Sequence, residues 1–176
     1  MVTTRVLDPA RLRRVFGAFP TGVTAVAALA DDEPIGLTAN SFTSVSLDPA
    51  LVSVCIARTS RTWSRLSLVS RLGVSILSAE QEHVGRQLAT RRERRFDGLD
   101  WRVTEHGAVL LEGASGWIEA SIAQQVEAGD HHIIVLAVHD LDADHDLRPL
   151  VFHGGEYKHL PRLAPQHATA ATAPRP

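Results

Sequence analysis

At 176 residues the chain has the length of one domain, since domains run to about 100–200 residues, and it is too short for separate nucleotide and substrate domains. With 44% hydrophobic and 22% charged residues the balance is globular, and a domain of this size buries roughly 70% of its unfolded surface without staples. A formal charge of -2 leaves no general footprint for nucleic acid or an anionic membrane, and the single cysteine, Cys55, cannot close an internal disulfide, which points to a reducing, cytoplasmic setting.

Near the start, Arg13-Arg14 precede a mostly apolar stretch, Val15 to Ala30, which a twin-arginine signal could imitate. Pro20, Thr21 and Gly22 interrupt it. Asp8-Pro9 ahead of Leu12, Val15, Phe16 and Phe19 has instead the spacing of a capped amphipathic helix. No apolar run approaches the roughly 20 residues of a membrane span. Gly22 to Ala30, a polar turn Asp31 to Pro34 and Ile35-Gly36-Leu37 predict a hairpin. Leu51 to Ala57 reads as a strand by its β-branched content, and Arg58-Thr59-Ser60 turn the chain into a helix whose stripe takes in Trp63, Leu66 and the Val69–Ser70 region. Gly73 to Leu77 predicts another strand. Ser78-Ala79-Glu80-Gln81 has the form of a capping box and opens a helix to about Leu88.

Thr90 to Gly98, with Arg91, Arg92, Arg94 and Arg95, reads as an exposed loop. Strand-like runs follow at Val109 to Leu111, Ser115 to Val126, Ile133 to Leu141 and Leu150 to His153, with Gly129-Asp130 as a hairpin turn in their midst. Residues 1–160 are therefore expected to form a β-rich α+β barrel with flanking helices, and 161–176, rich in Pro and Ala-Thr, a disordered tail.

Several chemistries are excluded on spacing. No Gly-x-Gly-x-x-Gly or phosphate loop ending in Gly-Lys-Ser/Thr is present. Gly113-Ala114-Ser115-Gly116-Trp117 lacks the second glycine of a nucleophile elbow, so Ser115 reads as a strand residue. Asp140, Asp142 and Asp144 imitate the start of a calcium loop, but His145 stands where the sharp turn needs glycine and Val151 where the bidentate glutamate belongs. A solvated turn accounts for them better. His131 and His132 face opposite ways on a strand and cannot chelate one metal, so no metal site is expected. Cys55 lies in an apolar run, where an inert buried thiol is the ordinary outcome.

Two polar segments stand out between apolar stretches: Thr38-Ala39-Asn40-Ser41-Phe42-Thr43-Ser44 and Arg58-Thr59-Ser60-Arg61-Thr62. Hydroxyls, backbone N–H groups and a helix start suit a phosphate or the edge of a polar heterocycle. Capping and turn formation explain either segment alone equally well. Together they fit the few convergent polar groups of a pocket.

These blocks resemble the short flavin reductases with an FMN-binding split barrel, the reductase components of two-component flavin-dependent monooxygenases. The resemblance runs from about Phe16 to Leu160 through Phe19-Pro20-Thr21-Gly22-Val23-Thr24, the long block Gly36 to Pro49, Leu51-Val52-Ser53-Val54-Cys55, Ser60-Arg61-Thr62, Arg95-Phe96, Gly129-Asp130-His131 and Tyr157. It implies an FMN-binding split β-barrel with flanking helices, and hydride transfer from NADH or NADPH to FMN or FAD. Thr38, Ala39, Asn40 and Ser41 would meet the ribityl chain and flavin edge. Ser53, Val54 and Cys55 would run along the ring system, mainly through backbone. Ser60, Arg61 and Arg95 would meet the phosphate end, His131 would serve the nicotinamide side as the catalytic residue, and Tyr157 would stand near the same mouth. A homodimer and a separate flavin-dependent monooxygenase as receiver of reduced flavin are the implied partners. A split-barrel protein that keeps its flavin and acts directly on a small organic substrate, and a non-catalytic flavin-binding module, are the alternatives.

Overall fold

The computed structural model describes residues 7–90 and 94–161. Arg91, Arg92 and all of the expected tail beyond Pro161 lie outside the described residues. Helix α1 (Pro9–Phe16) leads to β1 (Thr21–Gly22), the hairpin β2 (Thr24–Ala30) and β3 (Glu33–Ala39), then β4 (Thr43–Leu47) and β5 (Ala50–Ala57). Helix α2 (Arg61–Leu66), β6 (Leu72–Ile76), a 3₁₀ turn (Ala79–Gln81) and α3 (Glu82–Ala89) follow. The second half is β7 (Trp101–Val103), β8 (Val109–Leu111), the long pair β9 (Gly116–Ala128) and β10 (His131–Ala143), then β11 (Leu150–His153) and β12 (Glu156–His159).

Seven strands form one sheet in the order β3-β2-β6-β9-β10-β5-β4. Its two edge strands, β3 and β4, are consecutive in the chain and joined only by Asn40-Ser41-Phe42. Four Cα steps reach at most about 15 Å, whereas seven flat strands would span about 29 Å. The sheet must therefore curl until its edges meet. The junction is held by Ser41, whose hydroxyl accepts from Cys55 N–H at 2.8 Å and donates to Cys55 C=O at 3.1 Å. The barrel is thus closed by one side chain and a short connection instead of a β3–β4 ladder, and the gap between the edges is the split.

Inside the barrel Val26, Val54, Leu72, Val74, Ile134 and Leu136 form a core capped by Trp63 and Leu66 of α2. A second core lies outside β2, where Ala25 and Ala27 meet Val84 and Leu88 of α3, Phe96, Val109 and Leu150. Being covered on both faces explains why β2 reads as an unbroken Val/Ala run without alternation. Two glycines permit the close layers. A Cβ on Gly36 would meet Phe96 Cζ at 2.8 Å and Ala27 Cβ at 2.9 Å, and one on Gly73 would overlap the Val109 carbonyl.

Most expected elements are present, with instructive shifts. The β2–β3 turn is only Asp31-Asp32, both at positive φ (56° and 61°), so Glu33 and Pro34 belong to the strand. Pro34 is tolerated because β3 is an edge strand. Helix α2 stops at Leu66 instead of reaching Ser70. The amides of Ser67, Leu68 and Val69 wind into tight turns there, leaving Leu68 exposed and Val69 against the barrel core. Asp8 caps α1 through the amides of Ala10 and Arg11 as the spacing predicts, yet its apolar stripe finds no cover, and Val15, Phe16 and Phe19 are exposed. The Thr90–Gly98 loop is not simply solvated: Phe96 enters the second core, and Gln87 donates to the carbonyls of Arg95 and Asp97 at 2.8 and 2.9 Å. Ser115 stands one residue ahead of β9, its hydroxyl on the Ile76 carbonyl. Among the described residues no helix is long and apolar enough to cross a membrane.

Candidate functional site

A cleft of about 740 Å³ opens at the split. Its walls come from the end of β3 (Leu37, Thr38, Ala39) with Asn40, the end of β5 (Cys55, Ile56, Ala57), the α2 approach (Thr59 to Thr62), the end of α3 (Leu88, Ala89, Thr90), Arg95 and His131. Segments distant in sequence meet here because barrel closure brings the C-terminal ends of β3 and β5 together, while the β9–β10 hairpin delivers its turn to the same rim. His131 stands directly opposite Ala57 in the β5–β10 ladder.

Strand alternation decides what each side chain can do. Val54 and Ile56 point into the barrel core, so Cys55 and Ala57 point outward. Cys55 is consequently half-buried on the cleft wall, not the fully buried thiol its apolar run predicts. Its N–H and C=O both face Ser41. By the same alternation the N–H of Ala57 is turned to the cleft side. The Ala57 carbonyl accepts from Ser60 N–H at 3.0 Å, which folds Thr59 and Ser60 back over the cleft.

Ser60 caps α2 by accepting from Trp63 N–H at 3.2 Å, leaving Arg61 exposed on the rim. Arg95 donates from Nη1 to the Gly36 carbonyl at 3.1 Å and to the Thr62 hydroxyl at 3.0 Å, tying the loop to β3 and α2 at once. His131 Nδ1 lies 2.7 Å from the Asp130 carboxylate. That hydrogen bond holds Asp130 below the usual carboxylate range, with the charge of the ring adding to the effect. His132 faces the other way, toward the barrel interior beside Ile56, and does not line the cleft.

Of the sequence-expected residues, Thr38, Ala39, Asn40, Cys55, Ser60, Arg61, Arg95 and His131 converge on this cleft. Ser41 stands behind the wall as the closing link, and Ser53 and Val54 lie further along β5, Val54 wholly in the core. Tyr157 is elsewhere: its ring meets Phe152 edge-on at 5.4 Å, with the Arg86 guanidinium 5.0 Å from its centroid, in the second core. Burial raises its phenol above the ordinary value, which Arg86 partly offsets and Glu82 reinforces. Leu37, Ile56, Ala57 and the α3 end at Leu88 to Thr90 also line the cleft and were not singled out as site residues. Thr59 and Thr62 line it as members of the polar segment Arg58 to Thr62, whereas α3 carries no local signal because only packing against β2 and β3 brings its end to the cleft. Among the described residues no group of three or more His, Cys, Asp or Glu side chains is placed to hold a metal.

Comparison with known proteins agrees with this architecture. Residues 16–161 match the family described as flavin reductase like domain. A Rhizobium meliloti protein named "Probable flavin reductase" is 42% identical over 171 residues, 97% of this chain and 54% of its own length. The reductase subunit HsaB of a flavin-dependent monooxygenase from Mycobacterium tuberculosis is 34% identical over 153 residues, covering 86% of this chain and 82% of its own. The chain therefore spans about half of one relative and most of the other. A crystal structure of an NADH:FAD oxidoreductase from Streptomyces globisporus, in complex with NAD and FAD fragments, superposes with a TM-score of 0.83 at 39% identity, over 93% of this chain and 99% of that one. The β-rich split barrel, its cleft and these likenesses agree: the chain belongs to the flavin reductase-like domain family.

Proposed function

We propose that the cleft accepts a flavin and a reduced nicotinamide nucleotide together, so that residues 1–160 act as an NAD(P)H:flavin oxidoreductase that releases reduced FMN or FAD to a separate flavin-dependent monooxygenase. The observation that carries this reading is one cleft of about 740 Å³, within the usual range for small-molecule sites, with hydroxyl, amide and guanidinium groups at its rim and an apolar wall between them. When bound, a flavin supplies the two-electron acceptor chemistry that no side chain here can provide. Thr38 and Asn40 meet its polar edge and ribityl chain, and the backbone at Cys55 to Ala57 lies beside its ring. The cleft-side N–H of Ala57 is a fixed donor for charge that develops on the reduced ring, which removes the need for an ionisable acid. Ser60, Arg61 and Arg95 hold the phosphate end, and His131 serves the nicotinamide side.

The reading includes a homodimer. Ile133 pairs directly with both Cys55 and Val126, so an exposed apolar pair, Val126 and Ile133, continues the cleft wall outward on one face. A second copy covering that face would shelter the open side of the cleft. The relatives named as monooxygenase reductase subunits support an oxygenase partner, and the lone cysteine supports a cytoplasmic setting.

A steady-state matrix of NADH and NADPH against FMN, FAD and riboflavin tests the reading. Flavin-dependent acceleration of NAD(P)H oxidation is expected, with flavin lost from the reduced protein on gel filtration. No acceleration in any cell of the matrix overturns it.

A further inference from the structure

A second concavity lies at the other end of α2. The start of that helix lines the cleft at the split, whereas Arg65 and the residues that follow its C-terminus line a separate hollow of about 370 Å³. The two share no lining residue. Three segments far apart in sequence build the hollow: the end of β2, the chain after α2 and the β7–β8 turn. That turn is fastened to β2, because the Gly107 carbonyl accepts from Leu29 N–H at 2.9 Å and Ala28 bridges Ala108. The apolar side is backed by both cores, Leu29 by the second and Val69 by that of the barrel, while Leu68 stands exposed at the rim.

On the polar side, donors are in excess. Arg65, Arg71 and the exposed His106 line it. The carbonyls of Ala30, Ser70 and Gly107 are already engaged, by Arg65 Nη2, Arg71 Nη1 and the Leu29 amide. Two carboxylates reach the guanidinium groups. Asp31 accepts from Arg65 Nη2 at 3.2 Å, and Glu119, buried beside Arg71, comes within 3.5 Å of its Nε without forming a hydrogen bond. A guanidinium carries five N–H donors. Among the described residues Arg65 hydrogen-bonds through Nη2 alone and Arg71 through Nη1 alone.

Spare donors beside an aliphatic wall suit a molecule with acceptors at one end and hydrocarbon at the other. A carboxylate meets the first need, since its two oxygens match the parallel N–H pair of a guanidinium. An inorganic anion would leave the wall unused. A hollow of about 370 Å³ is at the small end of ligand pockets, which limits the hydrocarbon to a short one. We propose that this hollow is a second ligand site, for a short-chain carboxylate whose charged end meets Arg65 and Arg71 and whose body lies on Leu29, Leu68 and Val69.

Sodium hexanoate, titrated at constant ionic strength into the nitrogen-15-labelled full chain, provides the test, once alone and once with FMN in excess. Saturable shifts are expected at the amides of Leu68, Ser70 and Gly107, with a dissociation constant of about 1 mM that FMN leaves unchanged. Acetate keeps the charge without the body, and hexanol the body without the charge. Each is expected to bind at least about tenfold more weakly, as is inorganic phosphate. Removing Arg71 would strand the buried Glu119, so the variants are Arg65→Gln and Leu68→Glu, both at exposed positions. Either is expected to raise the hexanoate constant about tenfold with an unchanged thermal midpoint. No saturation at about 10 mM, shifts centred on Thr38 and Cys55 that FMN abolishes, equal binding of acetate or hexanol, or wild-type binding by either variant overturns the proposal. None of these results bears on flavin reduction, and a chain that reduces no flavin would still show the hexanoate shifts, so the two readings fail separately.

Discussion

His131 and His132 show how one step along a strand changes the chemistry a residue can reach. The first lines the cleft and the second faces the barrel interior. His131→Ala is accordingly expected to raise KM for NAD(P)H several-fold, on the order of one lost ligand hydrogen bond, while flavin affinity measured by fluorescence quenching changes little. Equal losses in both would contradict its place on the nicotinamide side. Tyr157, the single tyrosine, gives a probe far from that chemistry. Its phenol is raised by burial, so ultraviolet titration of the folded protein is expected to show ionisation above the range of free tyrosine. The sign follows: the neutral phenol is favoured in the fold, so this contribution to stability is complete below the ordinary tyrosine value and is lost as pH rises through the folded one. Ionisation at the ordinary value with the fold intact would show that the ring is not buried.

Between elements, the closing link and the loop anchor carry most of the design. Ser41 alone satisfies both the N–H and C=O of Cys55 across the split. Ser41→Ala is expected to cost about 1–3 kcal/mol, since it strands a partly buried amide, and to weaken flavin binding by loosening the wall that Cys55 contributes. Urea unfolding and flavin titration read the two effects separately. Gly36→Ala places a methyl against Phe96 and Ala27 and is expected to cost about 1–3 kcal/mol by overpacking. It would also displace Arg95, whose guanidinium grips the Gly36 carbonyl, so thermal stability and flavin affinity should fall together. Wild-type stability in Gly36→Ala would mean that the Phe96 loop yields freely. The hairpin turns, the Asp8 cap and the strands of the β9–β10 pair were legible because their signals are local: turn residues, a cap and apolar spacing. Strand β4 and the short β1 and β12 were not, since each is set by a partner far along the chain.

At the scale of the molecule, the exposed Val126–Ile133 pair beside the cleft predicts self-association. Sedimentation is expected to show a dimer, and Ile133→Glu to shift it to monomer with weaker flavin binding; a wild-type monomer at micromolar concentration would remove the second copy from the site. The sequence by itself determined strand β5 and the polar blocks at Thr38 to Ser41 and Ser60 to Thr62, because these depend on residue type and on neighbours a few residues away. Only the tertiary structure decided that Tyr157 stands in the second core and that Cys55 reaches the cleft. It also decided that Arg95 binds the framework and that α3 supplies a wall. Those outcomes follow from curling a seven-stranded sheet until its first and last strands meet, a closure set by distances between segments and by no single stretch of residues.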